Sequence, residues 1–323
     1  MQTSDLAQAI RSGDRAALAR GITLVESLRP ADTAAAEGLL QALLPHTGRS
    51  RRIGITGAPG VGKSTLIETL GLRLCTQGHR VAVLAVDPSS AVTGGSILGD
   101  KTRMTELSRH PGAFIRPSPG GDTLGGVAAR TREAMLLCEA AGFDTVLVET
   151  IGTGQSEVAV HGMVDFFLVL LSPAAGDELQ GIKRGVMELA DGVLVHKADG
   201  DLAPAADRAA QQCLLAMRVL HAGEAAPPPV VVGSSVTGRG LDELLQAVET
   251  HLAAARADGR FAARRARQAG EWLEQTVRER LLAEFLGDPA IAAAMTKAKV
   301  DVADGTALPG AAARALLAMR GSR

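Results

Sequence analysis

The segment Gly57-Ala58-Pro59-Gly60-Val61-Gly62-Lys63-Ser64-Thr65 has the residue types and spacing to hold a nucleoside polyphosphate. It follows a short apolar run and opens a stretch with helical periodicity, the setting that a Walker A loop requires. The glycines let backbone N–H groups converge on a β-phosphate, and the helix N-terminus adds its dipole. Lys63 is placed to reach β- and γ-oxygens and Ser64 to ligate Mg²⁺. Gly57 through Thr65 are therefore expected to form the phosphate cradle.

A phosphate loop does not specify the base, so the segment Val193-Leu-Val-His196-Lys197-Ala198-Asp199 carries more discrimination. It resembles an NKxD element with His196 in place of Asn. Asp199 can pair with N1–H and N2–H₂ of guanine, a pattern adenine lacks, while the aliphatic stem of Lys197 covers the ring. The swap at position 196 removes an amide that normally braces this loop and contacts the base. Gly233-Ser234-Ser235-Val236-Thr-Gly238 then stands where a guanine-capping SAxxG-like loop belongs. Together these segments favour GTP over ATP.

Two acidic residues, Asp87 and Asp100, flank a glycine-rich stretch after an apolar run, and a carboxylate so placed can hold Mg²⁺ directly or through water. Val146-Leu-Val-Glu149-Thr150-Ile-Gly152 resembles a DxxG switch with Glu149 replacing Asp, and leaves the Gly152 N–H to meet a γ-phosphate. The next position is Thr153, where fast-switching small GTPases carry a water-orienting Gln, and Gln155 lies two residues further on. Slow intrinsic hydrolysis is therefore expected, accelerated by a partner that orders a loop or supplies a cation. Asp177 and Glu178, followed by Lys183 and Arg184, suit a helix start by their charges.

Seven apolar runs alternate with helix-length segments and position these loops: 52–56, 81–86, 113–115, 145–149, 166–171, 192–196 and 229–232. The alternation predicts an α/β fold with a mostly parallel sheet covered on both faces. Residues 4–44 read as two Ala/Leu-rich helices broken near Gly21 and Pro30, and 241–255 as the helix closing the α/β domain. From Arg260 an amphipathic helix carries Phe261, Trp272, Leu273, Val277, Leu281, Leu282 and Phe285; after a break at 287–289 come two further helices. Its apolar face must be covered, either by the α/β domain or by a second copy of the chain. The organisation expected is an N-terminal helical segment over 1–47, a nucleotide-binding domain over 48–256 and a C-terminal helical dimerisation arm over 257–323.

With 323 residues and 46% hydrophobic content the chain can bury a sizeable core. The net charge of −1, 2% aromatics and absence of Tyr argue against nucleic acid as a partner. The longest apolar run is too short for a membrane span, and a bacterial cytoplasmic location is expected. Cys75, Cys138 and Cys213 are far apart and form no metal-binding or disulfide pattern. Only six of the 34 basic residues are Lys, and four of these (Lys63, Lys101, Lys183 and Lys197) fall in the segments above, where a point charge differs most from a guanidinium fork.

The runs GAPGVGKST, VDPSSAVTGGSILGDKTRM, RPSPGGDTLGG, VETIGTGQSEVAV and PAAGDELQGIKRG resemble the motifs of the methylmalonyl-CoA mutase-associated GTPases, over nearly the whole chain. The resemblance implies a G domain with N-terminal helices and a C-terminal dimerisation arm. It implies a homodimeric, GTP-hydrolysing chaperone that gates adenosylcobalamin delivery to a cobalamin-dependent acyl-CoA mutase and protects that enzyme, with an adenosyltransferase as a further partner. By the same resemblance Mg²⁺ is held by Ser64 with Asp87, Asp100 and Glu149 around it, and Lys63, Asp100, Glu149, Gln180 and Lys183 are the catalytic set. Gln180 and Lys183 belong to a third switch that swings toward the nucleotide when the mutase binds. Two other readings stay open: a nickel-type metallochaperone GTPase, which would need Cys/His ligand clusters not found here, and a P-loop kinase, which the base-reading loops argue against.

Overall fold

A computed structural model of the chain describes residues 3–86, 104–117, 124–150, 156–173, 184–223 and 226–322. Seven strands form one sheet in the order β3-β2-β4-β1-β5-β6-β7, every pairing parallel. They are β1 (Arg51–Gly57), β2 (Val81–Val86), β3 (Ala113–Arg116), β4 (Thr145–Thr150), β5 (Phe166–Leu171), β6 (Gly192–Val195) and β7 (Val230–Val232). β2, β4 and β5 are buried along their whole length, as parallel strands covered on both faces must be.

The period-two geometry of a strand sorts these apolar runs into two cores. Along β5, Phe166, Leu168 and Leu170 enter one core, while Phe167, Val169 and Leu171 enter the other. The first core is closed by helices α4 (Lys63–Thr76) and α10 (Leu241–Ala257), whose Leu66, Ile67, Leu70, Leu244 and Leu252 are buried there. The second is closed by α6 (Leu124–Ala140) and by the N-terminal helices α1 (Thr3–Arg11), α2 (Arg15–Val25) and α3 (Pro30–Leu43).

The N-terminal region departs from the expected two helices. The first break falls at Gly13, and Asp14 caps α2 by accepting from Ala16 N at 2.8 Å and Ala17 N at 3.0 Å. Gly21 lies inside α2, where a Cβ would come within 2.7 Å of Ile10 Cδ1 and 3.0 Å of Leu137 Cδ2. Its smallness serves helix packing, not a helix end.

Among the described residues the first unit also holds the α-helices α5 (Thr105–Arg109), α7 (Ser156–His161), α8 (Arg184–Glu188) and α9 (Ala203–Leu220). The chain divides into two compact units, Met1–Gln268 and Ala269–Arg323. The first unit includes the opening turns of α11 (Arg260–Gly287), fastened by buried polar contacts. Arg265 holds both oxygens of Asp165, at 2.8 and 2.7 Å, and donates to the Gly48 and Ser50 carbonyls. Arg264 forms a fork on Asp191 at 3.0 and 2.9 Å, and Gln268 donates to the Val164 carbonyl at 2.9 Å.

The second unit holds the rest of α11 with α12 (Pro289–Ala303) and α13 (Pro309–Ala318). Ile291 and Leu316 are buried in it, whereas Leu273, Val277, Leu281, Leu282 and Leu286 of α11 are exposed. Among the described residues no helix is long and apolar enough to cross a membrane. Cys75, Cys138 and Cys213 are free and buried.

Candidate nucleotide site

β1 is a central strand, and the loop from Gly57 to Gly62 leaves its C-terminal end to open α4 at Lys63. The turn depends on glycine. Gly62 has φ 103°, and a Cβ there would meet the His196 ring at 2.7 Å; Gly57 has φ 150°, and a Cβ there would sit 2.6 Å from the Leu170 carbonyl oxygen. Val61 is buried beneath the loop and Pro59 and Gly60 are exposed on it.

Lys63 is buried at the helix start, and its Nζ donates to the Gly57 carbonyl at 2.8 Å and the Ala58 carbonyl at 3.2 Å. Burial pushes the ammonium below its ordinary range, and the carboxylates of Glu149 and Glu157 oppose that push. Glu157 stands buried on α7, and its charge supports the cationic form of Lys63. The sequence motif contained Glu157 without suggesting that role, because the effect arises only when α7 folds back toward the loop.

Ser64 Oγ donates to Glu149 Oε1 at 3.0 Å. Glu149 is buried at the end of β4, paired in register with Ile55 of β1 and Ala85 of β2, so two neighbouring strands fix its position. A hydroxyl and a carboxylate side by side at the mouth of the cradle suit a hard divalent cation, which takes oxygen donors. Thr65 is exposed on the first turn of α4. Next to Glu149, Thr150 donates to Thr56 Oγ1 at 2.8 Å, tying the ends of β4 and β1 together.

The base-reading segment leaves β6 at His196. The imidazole is buried, with Nδ1 2.9 Å from the Val61 carbonyl oxygen and Nε2 2.7 Å from Ser235 Oγ and 3.3 Å from Ser235 N. The bracing expected to be lost with the amide is therefore carried by the ring, which spans the phosphate loop and the capping loop. Lys197 takes a left-handed conformation, φ 59°, and its Nζ donates to the Gly60 carbonyl at 2.7 Å. Asp199 accepts from Ser234 Oγ at 2.5 Å, while that same oxygen accepts from Val236 N at 3.1 Å and Thr237 N at 3.3 Å. The hydroxyl thus orients the carboxylate and caps the turn that exposes Val236.

Residues 18–290 match the family described as methylmalonyl Co-A mutase-associated GTPase MeaB. The chain belongs to this family. A Caulobacter vibrioides protein carrying a GTPase name is 55% identical over 311 residues, 96% of this chain and 95% of that one. The mouse protein named methylmalonic aciduria type A homolog, mitochondrial, is 45% identical over 94% of this chain and 76% of its own length. The crystal structure of a LAO/AO transport system kinase superposes with a TM-score of 0.77 at 36% identity, covering 99% of this chain and 98% of that one.

The family is one of P-loop GTPases, and Gly57–Thr65, His196, Lys197, Asp199 and Ser234–Val236 come together here as one site at the C-terminal ends of the strands, where ligands of open α/β sheets bind. Asp87, Asp100, Gly152, Gln180 and Lys183, with Thr153, Gln155, Asp177 and Glu178, lie outside the described residues. The frame on either side of the first of these stretches is set. β2 ends at Val86, and Glu68 of α4 accepts from Glu106 N at 2.8 Å and Leu107 N at 3.2 Å, capping α5 where the chain returns. Sequence reasoning gave Glu68 no part, since nothing in its local pattern marks a carboxylate that caps another helix.

Proposed function

We propose that this GTPase binds GTP with Mg²⁺ and gates the loading of adenosylcobalamin into a cobalamin-dependent acyl-CoA mutase, protecting that enzyme from inactivation. The observation that carries the reading is the joint presence of a phosphate cradle, a guanine-reading carboxylate and a Ser64–Glu149 oxygen pair in a chain matched over residues 18–290 by a mutase-associated GTPase family. The name of the mouse relative, which refers to methylmalonic aciduria, supports a partner in the same chemistry.

In this reading Ser64 and Glu149 would hold Mg²⁺, with Asp87 and Asp100 as further carboxylates. When bound, the ion would neutralise negative charge on the nucleotide's phosphates. Lys63 neutralises the same charge from the loop side and Gly152 N–H meets the γ-phosphate. Asp199, held by Ser234, selects guanine, and Lys197 covers the ring. Hydrolysis is slow in the protein alone, and Gln180 and Lys183 supply the missing assistance once the mutase binds. Lys183→Ala is expected to lose the partner-stimulated rate.

The exposed apolar face of α11, from Leu273 to Leu286, supports self-association through the C-terminal arm, giving a homodimer. Light scattering of the intact protein tests that part; a monomer at all concentrations overturns it. The gating role is tested by following the cobalamin spectrum while loaded adenosyltransferase, mutase and this protein are mixed with GTP or a non-hydrolysable analogue. Transfer that depends on hydrolysis supports the reading, and transfer indifferent to nucleotide overturns it. A second reading, phosphoryl transfer to a small acceptor, is favoured by the similarity to the transport system kinase. Labelled phosphate appearing on an added amino acid would establish it.

A further inference from the structure

We propose that His196 is a positioning residue for nucleotide binding that works only as the neutral Nδ1–H tautomer, so that guanine-nucleotide affinity is linked to a single proton. The proposal rests on the guanine-nucleotide reading of this site and adds to it a role for the residue that departs from the motif.

The tautomer follows from partners whose roles are fixed. The Val61 carbonyl can only accept, so the ring nitrogen 2.9 Å from it, Nδ1, carries the hydrogen. The Ser235 backbone N–H can only donate, so Nε2, 3.3 Å away, must present its lone pair. Ser235 Oγ, at 2.7 Å from the same nitrogen, then donates its hydroxyl hydrogen. Both ring nitrogens are thus committed to the protein. The ring holds the phosphate loop and the capping loop in register, and Asp199 makes the guanine selection.

Protonation would put a hydrogen on Nε2; the Ser235 hydroxyl can rotate and accept it, but the Ser235 backbone N–H, 3.3 Å away, would then face a donor and lose its acceptor. The ring has little room to turn away, because it packs so closely on Gly62 that even a methyl group there would stand 2.7 Å from it. Charged groups on the adjoining elements are Lys197 and Asp199 on its own loop, Lys63 on α4, whose ammonium is held by the Gly57 and Ala58 carbonyls, and Arg239 beyond the capping loop, directed at the Ala198 carbonyl and Asp207. Burial pushes the imidazole below its ordinary value of 6.5, the Val61 hydrogen bond pulls it up, Lys197 pushes it down and Asp199 pulls it up, with the net shift downward. The braced state therefore disfavours the proton, and lowering the pH below the ordinary histidine value of 6.5 shifts the balance toward the loosened state.

The test is the affinity of a fluorescent GDP analogue for the wild-type protein and for His196→Asn, measured at fixed Mg²⁺ from about pH 8 down to about pH 5.5. The terminal phosphate of the nucleotide titrates in the same range, so the comparison between the two proteins isolates the imidazole. The wild type is expected to lose affinity more steeply, by up to about tenfold per pH unit beyond the loss seen in the Asn variant. Parallel curves overturn the proposal. ¹⁵N spectra of histidine-labelled wild type give a second readout that needs no variant. A His196 signal with Nδ1 protonated and Nε2 unprotonated supports the assignment, and the opposite pattern overturns it. Failure of the wild type to bind GDP even at about pH 8 would instead sink the nucleotide-site reading on which the proposal rests.

Discussion

Ser64 Oγ donates to Glu149 Oε1 at 3.0 Å, which joins the first turn of α4 to the end of β4. The contact brings one residue of the phosphate loop and one of the switch-like segment to a common point, although 85 positions separate them in the chain. Glu149→Gln keeps the shape and removes the charge. It should lower Mg²⁺-dependent GTP turnover by about a hundredfold and raise the Mg²⁺ concentration needed for half-maximal rate. A Mg²⁺ titration of turnover in the variant checks this, and an unchanged titration curve would remove Glu149 from the metal site.

Lys63→Ala should weaken GDP and GTP binding by about two orders of magnitude or more, because a charge-assisted contact to phosphate is lost from a buried position. Equilibrium binding of a fluorescent nucleotide measures it. Retention of near wild-type affinity would mean that the phosphates do not sit against this loop.

Gly62→Ala introduces a Cβ 2.7 Å from the His196 ring at a residue with φ 103°, a conformation that L side chains rarely adopt. Nucleotide binding should collapse while the far-UV circular dichroism spectrum stays that of a folded protein. Normal binding in this variant would show that the ring and the loop are not in contact.

Much of the scaffold was legible because its signals are local. The apolar runs 81–86 and 166–171 coincide with β2 and β5, and GAPGVGKST stands at a strand-to-helix turn as the motif requires. Other features depend on residues far apart in the chain. Gly21 looks like a helix break in the sequence, yet it is a close contact between α2, Ile10 and Leu137. His196 reads as the loss of an amide, but the fold supplies Val61 and Ser235 at the two ring nitrogens. Phe261 joins the core beside α10, whereas Leu273 and Val277 on the same apolar pattern are exposed. A helical period shows which residues share a face, but not what covers that face.

The root of α11 should be a major source of stability. Asp165 is almost completely buried, and Arg265 meets both its oxygens. Arg265→Ala removes the ion-pair partner of that buried carboxylate, leaving it the Arg52 N–H at 2.8 Å, and should cost about 3–5 kcal/mol. Urea denaturation of the intact protein checks the value, and a loss under about 1 kcal/mol would show that the pair is replaceable by water.

Acid sensitivity should trace in part to Glu139. Burial pushes this carboxyl up, but the Arg52 guanidinium, Ser50 hydroxyl and Gly48 N–H together hold it below its ordinary value of 4.5. A depressed carboxylate stabilises the fold above its unfolded-state value, and that contribution is lost as pH falls toward the folded-state value. The melting temperature should therefore drop on acidification below about 4.5. Glu139→Gln should be less stable at neutral pH and should show a shallower drop in acid. Parallel curves for the two proteins would assign the acid loss elsewhere.

We propose a guanine-specific hydrolase whose slow turnover is released by a mutase partner. GTP turnover by the purified protein, alone and with each candidate cobalamin-dependent acyl-CoA mutase, beside matched ATP reactions, tests it most directly. A low GTP rate alone, strong stimulation by one mutase and negligible ATP turnover throughout are the expected results. ATP hydrolysis equal to that of GTP would contradict the base assignment, and a GTP rate unmoved by every mutase would contradict the proposed partnership.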